Sequence, residues 1–179
     1  VWFAPSKYSL DNYMYVWGQV GFARFFLNSA FVAIVITLAQ LLTSCMAGFA
    51  FARYDFPGRT VIFIIIISTM MIPFQVIMIP LFIMMARLRL VNTIWGMIIP
   101  AIVTAFGIFM MRQFMMSVPK SLLEAARIDG ASEPFIFARI MLPLCQPAIA
   151  ALAIFAFLGS WDNYLWPLII INSKEYWTL

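Results

Sequence analysis

The chain has 179 residues, of which 65% are hydrophobic and only 10% charged, with a net charge of +4 and a pI near 9.3. Soluble domains run near about 25% charged, so a soluble globule is excluded before any residue is read. A nucleic-acid interface is excluded as well, because the 11 cations stand singly between apolar runs and form no patch.

Charges mark the elements in chain order. Residues 1–24 read as an extracytoplasmic segment without the basic-then-apolar order of a secretory signal. Valine at position 1 and the short polar end at Leu179 lead us to expect a fragment. From Phe25 to Ala52, Thr60 to Ala86, Leu90 to Met111 and Ile140 to Trp161 there is no charge, and each run holds at least 22 residues. A helix of about 20 residues crosses a hydrocarbon core of roughly 30 Å. Spans are therefore expected at about 26–52, 60–86, 91–112 and 144–171, the last continuing past Asp162. The runs lack the alternation of a barrel wall.

The first connection, Arg53 to Arg59, reads as a tight turn broken by Pro57-Gly58, with Asp55 in a solvated salt bridge. In the second run Pro73 and Pro80 flank Gln75; each proline frees a carbonyl one turn earlier, which in lipid needs a neighbour or a water-filled cavity. A kinked packing helix and a pathway-lining helix both satisfy that pattern. Asn92 is a further polar candidate, and Gly96, Pro100 and Gly107 suit close contacts and bending in the third run.

The stretch 113–143 is the long polar connection. Ser121-x-x-Glu124 reads as a capping box behind Pro119, and Gly130 is placed to end the helix in the left-handed conformation. Ser132 and Pro134 start a second short helix that runs until Pro143 changes the direction. Ala125 and Ala126 are small enough for a deep groove on another protein, and Leu122, Leu123 and Ile128 can bury apolar area on either side; Ile140, Leu142 and Pro143 would anchor the corner to the bundle. Beyond the fourth run, Trp161, Asp162, Asn163, Tyr164 and Trp166 form either an interfacial aromatic belt or a sugar-contacting surface.

Chemistry in this chain is limited. Histidine is absent, which removes Ser–His and Cys–His nucleophiles and most zinc sites. Cys45 and Cys145 read as buried filler thiols, and no metal ligand set is expected. Orientation by basic residues is a near tie, six cations against five, so the polar 113–143 stretch is set on the cytoplasmic side as the place where a soluble partner binds.

The motif Glu124-Ala125-Ala126-x3-Gly130-x9-Ile140-x-Leu142-Pro143 resembles the conserved cytoplasmic loop of binding-protein-dependent ABC transporter permeases. Ala50 to Arg59, Met71-Ile72-Pro73 with Ile79-Pro80-Leu81, and Trp161-x-Asn163-Tyr164-Leu165-Trp166-Pro167-Leu168 resemble the carbohydrate-uptake branch, of the maltose-permease second-subunit type. The resemblance implies an all-α membrane protein, a polytopic MetI-like helical bundle. About four spans would belong to this fragment, over 25–179, with the first and last spans of the family missing.

It further implies that Leu122, Leu123, Glu124, Ala125, Ala126, Asp129, Gly130, Ile140, Leu142 and Pro143 couple the bundle to an ATPase. Pro73, Gln75, Pro80, Asn92, Trp161, Asp162, Asn163 and Tyr164 are candidates for the translocation path. Implied partners are a second permease subunit, two ATP-binding subunits, an extracytoplasmic solute-binding protein and membrane lipid. ATP and Mg²⁺ would sit on the partner ATPase, no cofactor or catalytic residue is expected here, and the place is a prokaryotic cell membrane crossed several times. A secondary transporter or a channel-type protein is the alternative.

Overall fold

In the computed structural model, which describes residues 10–19 and 21–179, every regular element among the described residues is helical. Part of the expected 1–24 segment lies outside the described residues; within it α1 covers Asp11–Gln19. α2, Phe22–Arg53, has 32 residues, about 48 Å of helix, which exceeds a hydrocarbon core of about 30 Å. No proline interrupts it, so nothing removes a hydrogen bond from its ladder.

The other three runs are broken. α3, Arg59–Ser68, tightens into a 3₁₀ turn at Thr69–Met71 and meets α4, Phe74–Arg87, at 104°. The span expected at 60–86 is thus two limbs, neither long enough alone to cross. The break falls at Ile72, whose backbone is extended (φ −89°, ψ 115°), because the ring of Pro73 pushes the preceding residue out of the helical region. Pro80 lies inside α4 without breaking it. α5, Ile94–Ile98, passes through a 3₁₀ turn containing Pro100 and joins α6, Ala105–Ser117, at 40°.

α7, Lys120–Ile128, follows, then α8, Glu133–Phe135, a π-helical turn at Ile136–Met141 and α9, Leu142–Leu144. The 79° change of direction before α10, Gln146–Trp161, comes at Cys145 rather than at Pro143, which sits harmlessly in the first turn of α9. The expected continuation to 171 is also corrected. α10 stops at Trp161, and α11, Leu165–Ile170, starts afresh behind Asn163, whose Oδ1 accepts from the Trp166 amide at 3.4 Å. Asp and Asn side chains compete for backbone partners and so favour such stops.

α2 packs against α6 and α10 through a stretch that includes Ser44, Cys45, Gly48 and Phe49, while Val32 and Ile36 nearer its start pack with residues of α4, α5 and α11. The α2–α6 crossing is closed by small residues: a β-carbon on Gly48 would come 2.7 Å from Met111 Cβ, and one on Gly107 would overlap the Ser44 hydroxyl. Small residues let backbones approach in lipid, where dispersion rather than water exclusion holds helices together. The break after α5 is repaired by α2, since Gln40 Nε2 donates to the Ala101 carbonyl at 2.7 Å and Thr43 Oγ1 to that of Ile102 at 2.9 Å. Carbonyls freed at membrane depth need such partners.

Two apolar clusters result. One, toward the Arg53 end, gathers Cys45, Phe49, Met111, Leu123, Met141 and Cys145; the other gathers Ile36, Met85, Met97, Trp166 and Ile170. Both cysteines are buried and free, as filler thiols are. Large apolar side chains such as Leu38, Leu42, Ile65, Val76, Ile79 and Ile154 point outward instead. An outward face of this kind is suited to lipid and too large for water.

Candidate functional site

The polar connection between α6 and α10 begins with a cap. Arg53, the last residue of α2, donates through Nη2 to the carbonyls of Met115 and Val118, the latter at 2.6 Å. A guanidinium there satisfies carbonyls left over at the end of α6 and opposes the negative end of its dipole. α7 then starts directly after Pro119. The expected capping box is absent: Ser121 lies inside the first turn, and no side chain caps the helix. Pro119 holds the N-cap position with extended ψ (133°), so its carbonyl opens the ladder and Ser121 has no orphan amide in front of it.

α7 is strongly two-faced. Leu123 is 2% exposed and belongs to the apolar cluster of the bundle, with Ala126 packed beside it. Leu123 is therefore a root of the helix in its own protein. Glu124, Ala125 and Leu122 face outward, and Ile128 is 86% exposed.

Gly130 has φ +82°. The Ala131 amide donates to the Ala126 carbonyl at 2.9 Å and the Gly130 amide to that of Arg127 at 3.0 Å, which is the double closure of a Schellman motif. Beside this corner an open groove of about 560 Å³ is lined by Ala126, Asp129, Gly130, Ser132, Phe135 and Ile140. Ile140 and Leu142 pack against the cluster, whereas Pro143 is exposed and anchors nothing.

Glu133 is the polar hub of the corner. Its Oε1 accepts from Arg127 Nε at 2.7 Å, and its Oε2 accepts from the Tyr54 hydroxyl at 2.7 Å and from Arg127 Nη2 at 3.3 Å. Hydrogen bonds from Arg127 first and Tyr54 second hold its carboxyl below the ordinary carboxylate range. The same bond to Glu133 raises Arg127, and desolvation followed by the Glu133 contact raises Tyr54. Asp55, expected in a solvated pair, does bridge Arg59 at the surface, but Arg53 is engaged elsewhere.

The candidate path residues do not converge. A cavity of about 270 Å³ opens between α2, α6 and α10, lined by Gln40, Thr104, Ser160 and Asn163 with Phe106 and Phe155. Of the expected set only Asn163 reaches it. Pro73, Gln75 and Pro80 lie exposed on or before α4. The Asn92 amide is consumed by the C-terminal stretch, donating to Ser173 Oγ at 2.7 Å and accepting from the Asn172 and Ser173 amides at 3.0 and 2.8 Å.

Trp161 packs on Phe26 and Phe157, Asp162 is exposed, and Tyr164 borders a separate cleft with Trp177. Trp166 is buried, with Nε1 donating to the Gly96 carbonyl at 3.1 Å. Gln40 and Ser160 escaped the sequence reading, although an amide in the middle of a charge-free run is the kind of costly group that flags a cavity.

Residues 40–178 match the family model of the binding-protein-dependent transport system inner membrane component. The chain belongs to this family. Membership makes it a membrane protein of the permease type, and the relatives agree. It is 46% identical over 178 residues to the arabinooligosaccharides transport system permease protein AraQ of Halalkalibacterium halodurans, spanning 99% of this chain and 64% of that one. It is 36% identical over 180 residues to the sn-glycerol-3-phosphate transport system permease protein UgpE of Shigella flexneri, spanning 97% and 64%.

A crystal structure of a bacterial ABC transporter involved in the import of the acidic polysaccharide alginate superposes with a TM-score of 0.90 at 28% identity, over 98% of this chain and 62% of that one. The chain thus spans less than two thirds of the length of these relatives. Its all-helical bundle has the permease fold expected from the Glu124-Ala125-Ala126 motif.

Proposed function

We propose that this chain forms the core of the transmembrane permease subunit of an ATP-driven importer for a sugar, or for a related polyol or sugar phosphate. A partner ATPase docks on α7 and on the groove beside Gly130. The observation that carries the reading is the split character of α7, with Leu123 rooted in the bundle while Leu122 in its first turn and Ile128 at its end stand uncovered. An exposed isoleucine on a capped, rigid helix is the chemistry of an anchor for a pocket on a partner.

The cavity holding Gln40, Thr104, Ser160 and Asn163 supplies hydroxyls and amides beside two aromatic faces, a set suited to a sugar ring. The names of the relatives, arabinooligosaccharides for one and glycerol phosphate for another, support this class of cargo. A second permease subunit, two ATP-binding subunits and an extracytoplasmic solute-binding protein complete the assembly. ATP and Mg²⁺ bind the ATPase, so no bond is made or broken in this chain.

The test is co-purification of the full-length protein from membranes with its ATPase, followed by cross-linking from Ile128→Cys. The expected result is a cross-link to the ATPase that is lost in Ala125→Arg while the protein still inserts. Absence of any ATPase on the wild-type protein, or labelling of position 128 from outside the cell, overturns the reading.

A further inference from the structure

Arg53 and Tyr54 are consecutive, and between them they hold both ends of the stretch that carries α7. Arg53 grips the carbonyl of Val118 at its entry, and Tyr54 donates to Glu133 at its exit. We propose that Arg53, Tyr54, Glu133 and Arg127 form a clasp that makes α2 the lever by which displacement of α7 enters the membrane bundle. This inference rests on the docking of an ATPase on α7.

Three observations converge on α2. It is the one helix among the described residues that passes the bilayer thickness unbroken, whereas the other runs bend by 40° to 104° at internal joints. A jointed rod absorbs a push at its hinge; a continuous rod carries it to the far end. The clasp is also directional. Leu123 and Ala126 touch the bundle through apolar contacts, which resist separation but tolerate sliding. Charge-assisted hydrogen bonds to one carboxylate fix both distance and register.

The aromatic packing around Tyr54 closes the loop. Its ring stands edge-on to Phe49 of α2 at 5.6 Å, and Phe49 lies 5.2 Å from Phe137, four residues beyond Glu133. The second short helix therefore meets the end of α2 twice, once by a hydrogen bond from Tyr54, the residue that caps it, and once by ring contact with Phe49. Tyr54, Glu133 and Arg127 are positioning residues in this scheme, since they act through α7 and α2.

The decisive experiment uses the full complex in proteoliposomes, with Leu27→Cys near the opposite end of α2 as a reporter. Leu27 is exposed and the two native cysteines are buried. Maleimide labelling of position 27 is measured with and without ATP and vanadate, together with ATP hydrolysis. In the otherwise wild-type complex the labelling rate changes on nucleotide trapping. Tyr54→Phe keeps the ring against Phe49 and removes only the donor.

In that variant and in Glu133→Ala, hydrolysis continues while the nucleotide-dependent change falls by about fivefold or more. The Arg127→Glu/Glu133→Arg exchange restores it, because a guanidinium at 133 can donate to both the carboxylate at 127 and the Tyr54 oxygen. An unchanged response in Tyr54→Phe and Glu133→Ala, or no response in a wild-type complex that hydrolyses ATP, overturns the clasp. A complex that forms without any ATPase overturns the docking reading instead.

Discussion

Leu123 and Ile128 sit five residues apart on one nine-residue helix, yet the first is 2% exposed and the second 86%. The first holds α7 to its own protein, and the second is the side chain that the proposed docking would use. Leu123→Ala empties part of the cluster and should cost about 2–5 kcal/mol of stability. Ile128→Ala buries nothing less in the isolated subunit and should change its stability by under about 0.5 kcal/mol. Thermal unfolding in detergent distinguishes the two, and ATPase co-purification should fail for Ile128→Ala although that variant stays stably folded.

Gly107 of α6 sits directly against Ser44 of α2, with no room for a β-carbon. Gly107→Ala forces its new methyl onto the Ser44 hydroxyl and close to Thr104, and overpacking of this kind costs about 1–3 kcal/mol. Ser44 Oγ has no partner although it is buried. Ser44→Ala should therefore be neutral or stabilising, since it removes an orphan hydroxyl that carries a desolvation cost of about 1–3 kcal/mol. Opposite signs for these two substitutions in one melting assay are the expected outcome, and a destabilised Ser44→Ala would show that the hydroxyl has a partner after all.

At Gly130 the φ of +82° is the whole constraint, because a β-carbon there meets nothing within 4 Å. Gly130→Ala should cost about 1–2 kcal/mol from backbone strain alone, and Gly130→Asn less. Amide exchange of Ala131, whose hydrogen bond closes the corner, should quicken in the alanine variant before any global loss of stability.

The Glu133 carboxyl titrates below its ordinary range because Arg127 and Tyr54 stabilise its charged form. The sign follows from linkage. A depressed carboxyl contributes stability that is present above the unfolded-state value and is lost as pH falls through the lower folded value. The stability difference between wild type and Glu133→Gln should be constant near neutrality and vanish in acid. Since Arg127 and Glu133 are both about 40% exposed on their side chains, it should also shrink with added salt.

Much of this molecule was legible in the residues. Four charge-free runs marked the long helical stretches, the Glu124-Ala125-Ala126 motif carried the family resemblance, and Gly130 announced a left-handed corner. Local signals of this kind report what a few neighbouring residues can do. They failed where two local solutions compete, as at Ser121, which had the spacing of a cap but yielded to Pro119 one turn-start earlier. Pro73 and Pro80 read alike in the chain, yet only the first breaks its helix.

Composition and spacing by themselves determined that this is a helical membrane protein with a polar segment between its apolar runs, and the Glu124-Ala125-Ala126 motif carried the resemblance to its family. Only the tertiary structure decided which face of α7 is rooted, that Asn92 serves the C-terminal stretch, and that Gln40 and Thr43 repair a broken neighbour. It also brought Tyr54 to Glu133, 79 residues away along the chain. The physical reason is that burial and hydrogen-bond satisfaction are properties of pairs. A residue's own chemistry states what partner it requires, and the packing of α2 against α6 and α10 determines which one it meets.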